Sequence, residues 1–317
     1  MTATPRPFTF LVGLQDVMDA AAVSAFARRA EDLGYHALVV PDHLIDQLSP
    51  VPVLAVAAAA TTRLRLSGFV LNNDLRHPAV LAQDLASLDV LSGGRLDVAL
   101  GAGWNAPEYQ AIGLPFDPTP VRQARLEEAV TVLKGAFGDA PFSFEGAHYR
   151  ITELDGRPKP VQRPHPPFMI GGGGRRTLEL AAREADIVGL APRILSGQRP
   201  DPRSFTIAAT EEKIAWVREA AGERFEHLVL GIYPSVTEPV ITDNARKAAA
   251  DVVDRLRART GYELTVDEAL ASPSLFIGSV ESLTEKLLML RERFGISQVM
   301  VGETDPLLPV VERLLGR

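Results

Sequence analysis

The chain has 317 residues, 46% of them hydrophobic and 23% charged, and its 40 acidic against 33 basic side chains give a net charge of −7. This is the balance of a soluble globular protein with material for one large core, and the acidic excess, with no basic stripe, argues against nucleic acid as a partner. The longest apolar run, residues 51–60, contains Pro52 and is too short to span a bilayer; the opening MTATPRPFTF lacks the pattern of a signal peptide; and there is no cysteine. Disulfides, thiolate metal sites and cysteine nucleophiles are thereby excluded, and a cytoplasmic location with no membrane partner is expected.

Strand-like and helix-like segments alternate from end to end. Residues 8–14 read as a first strand, and Asp19 can cap a helix in which Val23, Phe26, Ala27, Ala30 and Leu33 keep the 3.6 period up to Gly34. A short strand over 36–40 ends at Pro41, another spans 64–71, and a helix over 78–91 runs into the turn Ser92-Gly93-Gly94. After it come a strand at 96–100, a helix over 122–137, a hairpin over 142–150, a buried strand at 168–170 and a helix ending near Ala185. Residues 187–190, 228–233 and 298–301 supply the last three strands. Strands separated by helices require parallel crossovers. Eight such units point to an α/β fold of the (β/α)8 TIM-barrel type, with a doubly wound open sheet as the alternative. The whole of 1–317 reads as one domain, with insertions at about 140–165 and 191–210. The segment 191–206 is rich in Pro and Arg, has no period, and reads as a mobile loop or lid.

In a barrel, functional residues sit just after the strands. The second strand runs out through Asp42 and His43, where an acid and an imidazole could position a substrate or move a proton. Capping of the next turn by Asp42 explains the pair equally well. The third strand runs through Phe69, Val70 and Asn72, whose amide could meet the heteroatom edge of a planar ring, although Asn72-Asn73-Asp74 is also ordinary turn chemistry. At the fourth, Gly101 and Gly103 permit close approach of a ring and Trp104 could wall it; a tight turn with a buried Trp is the plainer account. Gly171, Gly172, Gly173 and Gly174, followed by Arg175 and Arg176, place backbone amides and a helix start at one point, the chemistry of an anion site. No G-x-G-x-x-G frame, Walker A, G-x-S-x-G or H-E-x-x-H is present, and the six histidines do not fall at metal-ligand spacings, so no metal is expected. A phosphate-type loop without a nucleophile motif or metal set suggests cofactor chemistry.

Taken together, RAEDLGYHALVVPDHL, RLRLSGFVLNNDLRHPAVLAQDLASLDVLSGGRLDVALGAGW, FEGAHYRI, PPFMIGGGGRRTLELAAREADIV and FIGSVESLTEKL resemble, in order, the successive blocks of the luciferase-like monooxygenase superfamily. FVLNNDLRHP and the AGW after the fourth strand look closer to its coenzyme F420-dependent branch. The resemblance implies hydride transfer between F420 and a small organic substrate. His43 would be the proton donor, with Asp42 orienting it. Asn72 would approach the ring behind a non-prolyl cis bond between Phe69 and Val70. Gly101 to Trp104 would border the ring, and Gly171 to Arg176 would meet the phosphate. Arg193, Arg199 and Arg203 would face the anionic tail. Trp104 stands where the sugar-phosphate dehydrogenases of the branch carry a Glu, which makes a sugar phosphate an unexpected substrate. The alternatives are an FMNH2-dependent monooxygenase on the same barrel, or a (deaza)flavin-binding protein without turnover. A homodimer completes the expected partners.

Overall fold

Short runs rich in Val, Ile and Leu, separated by amphipathic or wholly apolar helices, can pair side by side only as parallel strands with helical crossovers. The computed structural model, which describes residues 5–195, 199–234, 238–302 and 306–317, has this arrangement. Eight parallel strands, β1 (Thr9–Gly13), β2 (Ala37–Val40), β3 (Arg65–Gly68), β4 (Leu96–Gly101), β5 (Phe168–Gly172), β6 (Ile187–Leu190), β7 (Val229–Ile232) and β8 (Ile296–Met300), follow one another around one sheet. β1 pairs with β8, and β3 pairs with β4 through Leu66↔Leu96 and Ser67↔Asp97, so the sheet closes into a (β/α)8 barrel. All eight strands expected from the sequence are present. The chain also divides into two compact units, Leu14–Ile170 and Met1–Gly13 with Gly171–Arg317.

In the unit Leu14–Ile170, helix α1 (Ala20–Asp32) starts at Asp19, whose carboxylate accepts from the Ala22 amide at 2.8 Å. The run noted only for its hydrophobicity forms α2 (Pro50–Ala60). Pro50 sits at its first position, where a missing N–H costs nothing, and the helix packs between α1 and α3 (Pro78–Ser92). Packing on two sides fits α2, which has no polar residue at all. α4 (Ala106–Ala111) follows β4, and α5 (Thr119–Phe137) buries Leu126, Val130, Leu133 and Phe137. The expected hairpin is there, its strands Phe142–Glu145 and Arg150–Leu154. Glu128 ties its turn to α5 by accepting from the amides of Ala147, His148 and Tyr149 at 2.8–3.0 Å.

In the other unit, α6 (Arg175–Glu184), α7 (Ile207–Ala221), α8 (Ala245–Thr260), α9 (Val266–Ala271), α10 (Val280–Phe294) and α11 (Leu308–Leu314) follow in order. The sequence reading did not resolve the last five, and it missed the largest elaboration. Between β7 and α10 the chain adds α8, α9 and a two-stranded pairing of Val240–Ile241 with Ile277–Gly278. These pieces enclose a satellite core of Phe205, Val252, Leu256, Leu264, Leu275 and Ile277. The segment expected to be an aperiodic lid is tied down where it is described. Ile194 bridges Pro200, Leu195 N donates to Arg199 O at 2.8 Å, and Pro202–Phe205 form a 3-10 turn; residues 196–198 lie outside the described residues. No described helix is long and apolar enough to cross a membrane.

Candidate active site

The ends of β2, β3 and β4 bring a dense polar network together in the unit Leu14–Ile170. His43 emerges from β2 with its side chain one quarter exposed, and its Nδ1 lies 2.9 and 3.2 Å from the carboxylate oxygens of Glu108 on α4. A carboxylate only accepts, so Nδ1 carries the hydrogen and Nε2 is left as the atom that can exchange a proton. Glu108 is 4% exposed and also accepts a short bond from Asn105 Nδ2. The Trp104 ring stands edge-on to the imidazole, 5.5 Å between centroids, and is 44% exposed, so it is a wall open to solvent and not a buried turn residue.

Asp42 does something different from the orienting role expected of it. Arg76 grips its carboxylate with both terminal nitrogens, at 2.6 and 3.0 Å, and the Asn72 amide donates to it at 2.9 Å. Both lobes of the carboxylate are occupied by these donors, and the acid that meets His43 is Glu108. Asp42 therefore locks the end of β2 to the turn after β3. The Phe69–Val70 bond is cis, as the resemblance implied.

Asn72 is itself committed to the protein. Its Oδ1 accepts from the Asp74 amide at 3.1 Å and lies 3.0 Å from the Tyr109 hydroxyl, which is also 3.1 Å from Asp74 Oδ2. Tyr109 is fully buried, and burial together with the Asp74 charge raises its hydroxyl well above the usual tyrosine range. Arg125 pairs with Asp74 at 2.9 Å and with Asp117. Gly103 has φ +72°, and a Cβ there would run into the Tyr109 hydroxyl and Asn72. The carbonyls of Ala102 and Gly103 are held by the Arg122 guanidinium, which stacks 4.2 Å over Phe116. At Gly101, a Cβ would lie 2.6 Å from Val70 Cγ2, so glycine admits the neighbouring strand-end side chain.

The sequence reading missed Glu108, Tyr109, Arg76, Arg122 and Arg125. Glu108 could have been found, because it lies in the first turn of a short helix directly after a barrel strand. Its pairing with His43, 65 residues away, could not.

In the other unit, β5 ends in Gly171-Gly172 and α6 begins after Gly174, which provides no side-chain cap. The first-turn amides of a helix have no acceptor inside it, and Gly174 has nothing within 4 Å of where a Cβ would lie. This open, uncapped helix start fits a phosphate group. Two of the glycines have a different reason. A Cβ on Gly172 would lie 2.6 Å from Thr177 Cγ2, and one on Gly173 would overlap the backbone of Pro192 and Arg193. Arg175 runs along the helix surface into ion pairs with Glu179 at 2.7 Å and Glu219 at 3.1 Å; Arg176 is exposed beside it.

Comparison with known proteins identifies the family and the fold. Residues 8–274 match the family model for luciferase-like monooxygenases. An FMNH2-dependent dimethylsulfone monooxygenase of Pseudomonas putida is 36% identical over 141 residues, 44% of this chain and 39% of that protein. An F420-dependent glucose-6-phosphate dehydrogenase of Kineococcus radiotolerans is 33% identical over 169 residues, 51% of this chain and 49% of its own length. The chain thus spans less than half the length of either relative. The structure of the coenzyme F420-dependent tetrahydromethanopterin reductase of Methanopyrus kandleri superposes with a TM-score of 0.75 over 98% of this chain and 99% of that one, at 20% identity, and so shares the fold. With the family model matched over most of its length, the chain belongs to the luciferase-like monooxygenase family.

Proposed function

We propose that the protein is an oxidoreductase that transfers a hydride between coenzyme F420 and a small organic substrate. The observation that carries this reading is the His43–Glu108 pair: a part-exposed imidazole with one nitrogen fixed by a nearly buried carboxylate and the other available. Bound coenzyme would supply the hydride-accepting and hydride-donating carbon; the protein has to move one proton and hold both reactants. Nε2 of His43 takes the proton of a substrate hydroxyl as it becomes a carbonyl, or returns it in the reverse direction. Glu108 stabilises the imidazolium formed and keeps the ring in one orientation, and Asn105 keeps Glu108 in place. Asp42, Arg76 and the Asn72 amide tie the chain just before His43 to the turn after β3. Gly174 and the first-turn amides of α6 bind the phosphate.

A second reading, an FMNH2-dependent monooxygenase, has one specific observation in its favour, the 36% identity to the dimethylsulfone monooxygenase. Titration of the purified protein with oxidised F420 and with FMN, followed by absorbance and fluorescence, separates the two. Binding of F420 in preference to FMN is the expected result. Tight binding of FMN with no affinity for F420 would transfer the assignment to the monooxygenase, and binding of neither would remove both.

A further inference from the structure

Lys213 on α7 is only 5% exposed, and neither group that it touches is a carboxylate. Its Nζ donates to Ala191 O at 2.7 Å and to Ser204 O at 3.2 Å. Burial pushes its ammonium down to about 8. Arg193 acts in the same direction, and Asp201 and Glu212 act against it. An apolar side chain would fill this place with far less desolvation cost, so the retained cation calls for a use.

The two carbonyls that Lys213 joins belong to the two arms of the loop after β6, and those arms build the back of the Gly171–Gly174 turn. Ala191 N donates to Gly172 O at 3.0 Å, so β6 runs directly into the turn. The Pro192–Arg193 backbone occupies the space that a Cβ on Gly173 would need. Arg193 N donates to Ser204 Oγ at 3.0 Å, and Asp201 N to Arg193 O at 2.7 Å, which closes the second arm onto the first. Removing the ammonium leaves the Ala191 and Ser204 carbonyls without this donor and loosens the hold between the arms, which the Arg193–Ser204 and Asp201–Arg193 bonds then carry.

We infer that Lys213 is a positioning residue for phosphate recognition: by joining Ala191 and Ser204 it presses the Pro192–Arg193 backbone against Gly173, fixes the glycine turn for the anion, and adds a buried positive charge behind it. This inference rests on the reading of the turn as the phosphate end of a coenzyme site. Lys213 touches no reacting atom; it acts through the turn.

The test compares ligands with and without the phosphate, and FMN and riboflavin differ in that group alone. Affinities for FMN and for riboflavin are measured on the full-length protein, and likewise for F420 and its phosphate-free chromophore, in wild type, Lys213→Met and Lys213→Gln. The wild type is expected to bind at least one phosphorylated ligand more tightly than its phosphate-free counterpart. Lys213→Met is expected to lose at least tenfold of that advantage while the phosphate-free ligand changes less than twofold; a merely structural lysine would weaken both alike. Lys213→Gln keeps two donors for the carbonyls but no charge, and is expected to lose part of the advantage; it serves as the test if the Met variant does not fold. An undiminished phosphate advantage in the folded variants would overturn the role of Lys213. No phosphate advantage in the wild type would instead overturn the reading of the turn, and the inference with it.

Discussion

Glu108→Gln is the substitution that bears most directly on the proposed chemistry. It keeps the volume of a side chain that is 4% exposed, and glutamine can still accept a hydrogen bond from His43 Nδ1. What it removes is the negative charge 2.9 Å from an imidazole that must become positive in the proton-transfer step. A hydrogen bond to a charged group contributes about 1.5–3 kcal/mol more than nothing in its place. With His43 one quarter exposed, about 2 kcal/mol of that is available to the transition state. At about 1.4 kcal/mol per tenfold, kcat should fall about 30-fold, while coenzyme affinity changes less than about twofold. The assay is steady-state turnover followed by F420 absorbance with a panel of small alcohols, the active member being used throughout. His43→Ala should cost about 10²-fold or more in kcat, and the double variant should be no slower than His43→Ala, because the two residues act as one device. A Glu108→Gln enzyme with wild-type kcat, or one whose loss appears wholly in coenzyme affinity, would refute the reasoning.

Asp42→Asn should act on stability: it leaves the Arg76 guanidinium without its bidentate partner, costing about 2 kcal/mol and lowering Tm by on the order of 5 °C, readable by calorimetry; an unchanged Tm with lost turnover would restore Asp42 to a chemical role. Gly173→Val should unfold the turn region, because its side chain meets the Pro192 backbone, whereas Gly174→Val has space and should fold normally while weakening FMN or F420 binding; equal Tm losses in the two variants would contradict this division. Tyr109→Phe should cost about 1–2 kcal/mol in urea denaturation by removing the hydroxyl shared between Asn72 and Asp74, and a neutral outcome would mean that the hydroxyl is not needed there. The buried ammonium groups of Lys213 and Lys286, both pushed down to about 8 by burial, release their protons in the folded state before the unfolded chain does at about 10.4. The unfolded state binds more protons in that window, so these lysines make stability rise with pH from 8 upwards, by at most about 1.4 kcal/mol per pH unit each. Tyr233, pushed up to about 12 by burial, acts in the opposite sense above pH 10. Urea midpoints between pH 7.5 and 9.5 should show this rise flattened in a Lys213→Met, Lys286→Met double variant.

What the sequence determined by itself is whatever depends on neighbours along the chain. All eight barrel strands, the cap at Asp19, and the hairpin after α5 rest on local periodicity, capping chemistry and turn residues. So does the glycine turn before α6. The uniformly apolar α2 was readable only as a hydrophobic run, because a helix buried on both sides has lost the amphipathic period by which helices are recognised. The insertion with α8 and α9 went unseen because its core forms from segments that are apart in sequence, Phe205 among them. The partners of the candidate site were decided by tertiary structure alone. His43 could have turned to Asp42 next to it, but Arg76 and the Asn72 amide claim that carboxylate, and Glu108 comes from the following strand–helix junction. Hydrogen-bond partners are chosen by distance and by what competes for each lone pair, and closure of the barrel sets both by bringing successive strand ends together.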